Sequence, residues 1–119
     1  MLILLAVSAF SQTPNLASAI YAENGELIGV TNLSGLEDCS TANLLGKVKN
    51  IKPADPTITF ELRTKRERQT IQVNLERLSA KDRPFFFQDL VKKGRSLRVS
   101  GYKCGANNFI NAISIDRNY

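Results

Sequence analysis

The amino-acid sequence predicts an all-β protein, a small β-barrel that carries one helix. Three observations predict it. Apolar residues alternate with polar ones at period two in Thr57–Arg63, residues 70–75 and Ser96–Lys103. The period changes to helical spacing over residues 82–93, and proline, glycine or asparagine clusters separate the segments. A chain of 119 residues with 43% hydrophobic and 23% charged residues has the size and balance of one ordinary globular domain.

Residues 1–10 contain an uncharged apolar run, Leu2 to Val7, followed by a polar patch at 11–15 and by Ala17-Ser18-Ala19. Such a run is too short to span a bilayer and fits the core of a signal peptide, with cleavage after Ala19 and Ala22 as the second choice. No Lys or Arg precedes it, which departs from the ordinary signal pattern, and a buried N-terminal strand or helix is the competing reading. Residues 1–19 are therefore expected to be a cleaved leader, 20–38 an N-terminal extension or edge strand, and 39–119 the domain proper. The expected location is secreted or periplasmic.

Within 23–38, only Leu27-Ile28-Gly29-Val30 is strongly apolar, and it either adds an edge strand or leads into the body. Residues 44–51 read as the first barrel strand, which Pro53 and Pro56 end by fixing φ and withdrawing backbone donors. In the second strand Ile58, Phe60 and Leu62 form one face, with Thr57, Thr59, Glu61 and Arg63 on the other. The third alternates Ile71, Val73 and Leu75 with Thr70, Gln72 and Asn74, making a hairpin with one apolar and one polar face. The connecting run Arg63-Thr64-Lys65-Arg66-Glu67-Arg68 forms a basic patch, and such runs are more often solvated turns than binding sites.

Ser79 and Asp82 have the spacing of a helix-starting capping box, and Pro84 belongs in a first turn. The helix is expected over 82–93, with Phe86 and Leu90, and Phe87 and Val91, on one stripe and Gly94 as the stop. That stripe reads as the plug of a barrel. Ser96–Lys103 is the fourth strand, with Gly101 at a sharp bend; Gly105 to Asn108 form a turn and residues 109–115 the fifth strand.

Three strands, a helix and two strands is the order of the OB-fold, a five-stranded Greek-key barrel with its helix between strands 3 and 4. In that topology the start of the first strand lies beside the end of the fourth. Cys39 precedes the first and Cys104 ends the fourth, and in an exported chain the pair is expected to be oxidised.

Taken together, Asp38-Cys39, Gly46-Lys47-Val48, the strand at 57–63, the helix and Tyr102-Lys103-Cys104-Gly105-Ala106-Asn107-Asn108-Phe109 resemble the secreted OB-fold receptor-binding subunits of Shiga-type and cholera-type toxins. The resemblance covers most of the chain after Asp38 and lies in architecture and cysteine placement. It implies a glycan receptor and a homo-oligomer, a pentamer if the assembly is toxin-like. The sugar sites of that family commonly use a Trp, which this chain lacks, so no sugar-contacting residue carries over.

Histidine is absent, which removes the usual Ser–His and Cys–His nucleophile pairs. Glu61 and Glu76 are the nearest approach to a hydrolytic carboxylate pair. No phosphate loop, dinucleotide turn or metal motif is present, and neither an enzyme nor a cofactor is expected. A binding module is expected instead, its ligand a glycan or a protein held on the outer face of strands 2 and 3. That face would carry Thr57, Thr59, Glu61, Thr70, Gln72 and Asn74, bordered by Tyr102, Asn107 and Asn108, with Arg63, Lys65, Arg66 and Arg68 as the basic patch. An envelope or assembly scaffold is the alternative. Single-stranded nucleic acid ranks last, because the face offers no ring for base stacking. The net charge of +5 favours anionic partners without naming one.

Overall fold

The computed structural model describes residues 16–35, 38–54, 56–105 and 108–118. Its strands are β1 (Ser18–Tyr21), β2 (Leu27–Thr31), β3 (Ser40–Lys52), β4 (Thr57–Arg63), β5 (Arg68–Asn74), β6 (Ser96–Lys103) and β7 (Phe109–Arg117). Between β5 and β6 lies a helical segment, an α-turn α1 (Arg83–Phe85) that continues as a π-helical turn, Phe86–Leu90. The order β7-β5-β4-β3-β6 closes through a further β6–β7 pairing into a five-stranded barrel. β5 and β7 are parallel and the other barrel pairs antiparallel. The chain is thus an all-β barrel with one short helix, consistent with an OB-like fold.

Alternation decides which residues fill the barrel. Ile58, Phe60 and Leu62 of β4 and Ile71 and Val73 of β5 point inward with Val48, Leu97, Val99, Ile110 and Ala112, all at most 2% exposed. β3 is the long, coiled strand: residues 40–47 pair with β6, and from Lys47 onward the strand pairs with β4. At that change of partner sits Gly46, where a Cβ would lie 2.8 Å from the Arg63 carbonyl carbon. Beside the β3–β6 ladder, Cys39 and Cys104 are disulfide-bonded, with Cα atoms 4.9 Å apart.

The helix is shorter than its sequence pattern implies. It ends at Leu90, and Val91 leaves helical geometry with φ −93° and ψ 89°. Phe86, Leu90 and Val91 are all buried, yet in an α-helix Val91 would point about 140° away from Phe86. The Val91 N–H bonded to the Phe86 carbonyl closes the wider turn that lets all three enter the barrel. Phe87, expected on the same stripe, is only half-buried. The expected side-chain cap is also absent: the Ser79 hydroxyl donates to Asp82 Oδ2 at 2.6 Å, and the Ser79 carbonyl accepts from the Asp82 and Arg83 N–H groups. Gly94, at φ +85°, lies in the turn beyond the helix and donates to the Val48 carbonyl.

β1 and β2 form a hairpin, and β2 joins β7 at Gly29 and Val30. The apolar stretch at 27–30 is therefore a strand. Most of the expected leader, residues 1–15, lies outside the described residues, and cleavage after Ala19 would divide β1. The hairpin is bonded into the barrel floor. Glu26 accepts from Arg117 at 2.6 Å and pairs with Arg95 at 3.4 Å, while the Leu27 N–H donates to Asp89 Oδ2 at 2.9 Å.

Tyr21 adds a titratable latch by donating its hydroxyl to Asp82 Oδ1 at 2.6 Å, with its ring edge-on to Phe85. The hydrogen bonds from Ser79 and then Tyr21 hold the Asp82 carboxyl below its ordinary value. Desolvation, then the bond to Asp82 and its charge, push the Tyr21 hydroxyl up to about 12. A depressed carboxyl contributes stability above its unfolded pKa, lost as pH falls through the folded value. A raised phenol contributes stability below its unfolded pKa, about 10, lost as pH rises toward the folded one. The Tyr21→Phe variant is expected to lose about 1 kcal/mol at pH 7, with the difference from wild type shrinking at pH 3 and above pH 11. Urea unfolding across that range measures it; a difference independent of pH would mean that the bond is not coupled to either titration.

Candidate functional site

Strand pairing brings the polar residues of β4 and β5 together in register. Thr57 faces Asn74, Thr59 faces Gln72, Glu61 faces Thr70 and Arg63 faces Arg68. Ile58, Phe60, Leu62, Ile71 and Val73, which alternate with them, are buried, and the strand pairing sets all eight on the outer face. Thr57, Thr59, Thr70 and Gln72 make no side-chain hydrogen bond to a described residue, so their hydroxyl and amide groups remain available. Asn74 is partly engaged, because its Oδ1 accepts from the Glu76 N–H at 2.8 Å. On the far side of β5, Phe109 and Asn111 of β7 align with Thr70 and Gln72.

β3 widens this face. Lys47 and Lys49 flank buried Val48 and stand opposite Arg63 and Glu61, while Lys52 stands opposite Thr59. Between Lys49 and Lys52 the register shifts, and Asn50 takes a left-handed φ of 46°, a conformation asparagine adopts more readily than most residues. Its Nδ2 donates to Glu61 Oε1 at 2.8 Å. Arg68 approaches the same oxygen at 3.9 Å, so Glu61 is held by two neighbours.

The resulting face has two zones. Thr57, Thr59, Thr70, Gln72 and Asn74 make a neutral zone of hydroxyls and amides. Lys47, Arg63 and Arg68 stand directly in line across three adjacent strands, making a cationic zone. Beside it lies a shallow groove of about 480 Å³, lined by Leu45, Lys47, Lys49, Arg63, Lys65 and neighbouring backbone, and no described carboxylate lines it. Leu45 is 52% exposed there.

Not every expected site residue reaches this face. Tyr102 is buried, only 8% exposed, beside the shift in β6–β7 register between Ser100 and Gly101. Asn107 lies outside the described residues. Asn108 is exposed, and its backbone carbonyl accepts from Gln69 Nε2 at 3.2 Å. Of the basic patch, Arg63 and Arg68 belong to the strands, whereas Lys65 and Arg66 project from the turn that connects them. Glu61 and Glu76 are not set across a cleft. Four residues of strand, about 13 Å, separate Glu61 from Thr57, and Glu76 follows Asn74, the partner of Thr57. That exceeds the separation of about 5–9.5 Å that glycoside hydrolysis uses. Among the described residues no group of three or more metal-ligating side chains is present.

Lys47, Lys49 and Asn50 were the residues that sequence reasoning passed over. The alternation of the two lysines about Val48 carried the signal for the first pair. Asn50 had none, since the bulge that turns it onto the face depends on pairing with β4. No protein-family model matches the chain, and no curated protein or solved structure is significantly similar to it.

Proposed function

We propose that the chain is an exported, non-catalytic binding module that takes a glycan on the outer face of β4 and β5. The observation that carries this reading is the neutral zone. Thr57, Thr59, Thr70 and Gln72 sit side by side on paired strands with hydrogen-bonding groups that no described residue uses, and a sugar presents hydroxyls that such groups match without any need for charge. The disulfide supports an oxidising location, and no helix among the described residues is long and apolar enough to cross a membrane. The resemblance to toxin receptor-binding subunits supports the same ligand class and extends the proposal to a ring of identical chains.

A glycan array probed with the oxidised protein tests the reading. The Thr59→Ala/Gln72→Ala double variant is expected to keep its melting temperature and lose at least tenfold in affinity, since two surface hydroxyl or amide contacts contribute about 1 kcal/mol each. Binding that survives this change intact would remove the neutral zone as the site. A second reading, a protein partner, draws on β1, whose outer edge is unpaired among the described residues and carries Ile20 at 44% and Tyr21 at 40% exposure. An array-silent protein would move the proposal there.

A further inference from the structure

We infer that the ligand is an acidic glycan, with its sulfate or carboxylate groups bound by Lys47, Arg63 and Arg68 beside the neutral zone; this rests on the glycan reading above. Like charges directly opposite one another on paired strands destabilise a sheet. Here two such pairs share one residue, Lys47 facing Arg63 and Arg63 facing Arg68, with Cα atoms about 4.5–5.5 Å apart in each step. Arg68 has Glu61 at 3.9 Å, but Lys47, Lys49, Arg63 and Lys65 make no ion pair with a described residue. The other nearby carboxylate, Glu67, does not line the groove; it lines an adjoining hollow with Leu45 and Lys65 and makes no ion pair with a described residue. A row of repelling cations whose one paired carboxylate, Glu61, approaches only Arg68 is an arrangement that an anionic ligand would stabilise.

The setting of the row selects the kind of anion. Single-stranded nucleic acid needs exposed rings interleaved with the cations, and among the described residues the only ring aligned with this face is half-buried Phe109, two strands from Arg63. What adjoins the cations instead is a strip of hydroxyls and amides and one exposed aliphatic side chain, Leu45. Those groups complement sugar hydroxyls and the apolar face of a sugar ring. Two guanidinium groups in the row favour planar, two-pronged contact with sulfate or carboxylate.

Calorimetric titration of the oxidised full chain with a heparin octasaccharide, its O-desulfated counterpart and a twelve-residue oligothymidylate, at 50 and 150 mM salt, tests the inference. The wild-type protein is expected to prefer the sulfated octasaccharide to both others. Lys47→Gln/Arg63→Gln should weaken that binding at least tenfold and reduce its salt slope by about two, one for each cation removed. The melting temperature should stay level or rise, because a like-charge pair has gone. No heparin binding by wild type, binding unaltered by the double variant, or tighter binding of the oligothymidylate would each overturn the inference, as would a loss of binding that merely tracks a fall in melting temperature. A Thr59→Ala/Gln72→Ala protein that binds heparin normally would defeat the neutral-zone reading while leaving the cationic site standing. Array binding of neutral glycans that ignores Lys47→Gln/Arg63→Gln would do the reverse.

Discussion

Replacing Cys39 and Cys104 together with serine is expected to lower the unfolding free energy by about 4 kcal/mol without changing the fold. The bridge closes a loop with a sequence separation of 65, and chain-entropy arithmetic for that length gives about 4 kcal/mol at 25 °C. The bridged residues flank strands that are already paired, Ser40 opposite Lys103 and Thr41 opposite Tyr102, so the native geometry does not depend on the sulfur atoms. Most of the effect therefore falls on the unfolded chain, which regains the freedom the crosslink removes. Urea unfolding of the double variant, followed by circular dichroism, should show an earlier midpoint with a native spectrum before the transition. A loss below about 1 kcal/mol would mean that the unfolded chain keeps β3 and β6 close without the bridge. For a domain whose total stability is expected at about 5–15 kcal/mol, the same figure is a large share of the whole.

The period-two strands were legible because each has one wet face. β4 and β6 lie where alternation puts them, Thr57–Arg63 and Ser96–Lys103. β3 was read too short, at 44–51 rather than Ser40–Lys52, because Ser40, Thr41 and Asn43 lie in the exposed first half of a coiled strand and supply no apolar alternation. The helix was read too long for the opposite reason. Its i, i+4 pairs were present, but whether Val91 continues the stripe or leaves it depends on the barrel space it must enter, which periodicity does not encode. The candidate face was legible on β4 and β5, where parity alone assigns sides. It was not legible on β3, whose bulge at Asn50 resets parity and brings Lys49 and Lys52 to the same border. Tyr102 was misread for a related reason: alternation puts it on the side away from Val99 but does not reveal that it is buried there, next to the bulge that leaves Ile113 of β7 without a partner on β6.

That same bulge carries the second large effect. Gly101 is buried at the β6–β7 seam, and a Cβ there would fall on the Asn111 carbonyl oxygen, 2.9 Å from the carbonyl carbon and 2.7 Å from Ile110 Cγ2. Backbone cannot rotate aside as a side chain does, so a larger residue must part the two strands. The loss begins with the pairings of Gly101 with Ala112 and Tyr102 with Asn111, which help to close the barrel. Gly101→Val is expected to destabilise by about 3 kcal/mol or more, the upper end for overpacking. Gly94→Ala makes a control of the opposite kind, since its φ of +85° strains a side chain but open space surrounds it, and about 1 kcal/mol should suffice. Hydrogen exchange should locate the Gly101→Val damage in the amides of β6 and β7 first, with β4 and β5 following only through global unfolding. The seam lies on the strand that the disulfide anchors, so combining Gly101→Val with loss of the bridge should leave little or no folded protein. If the triple variant instead melts cooperatively within about 1 kcal/mol of the bridge-free double variant, the seam accommodates the side chain and barrel closure does not rest on Gly101.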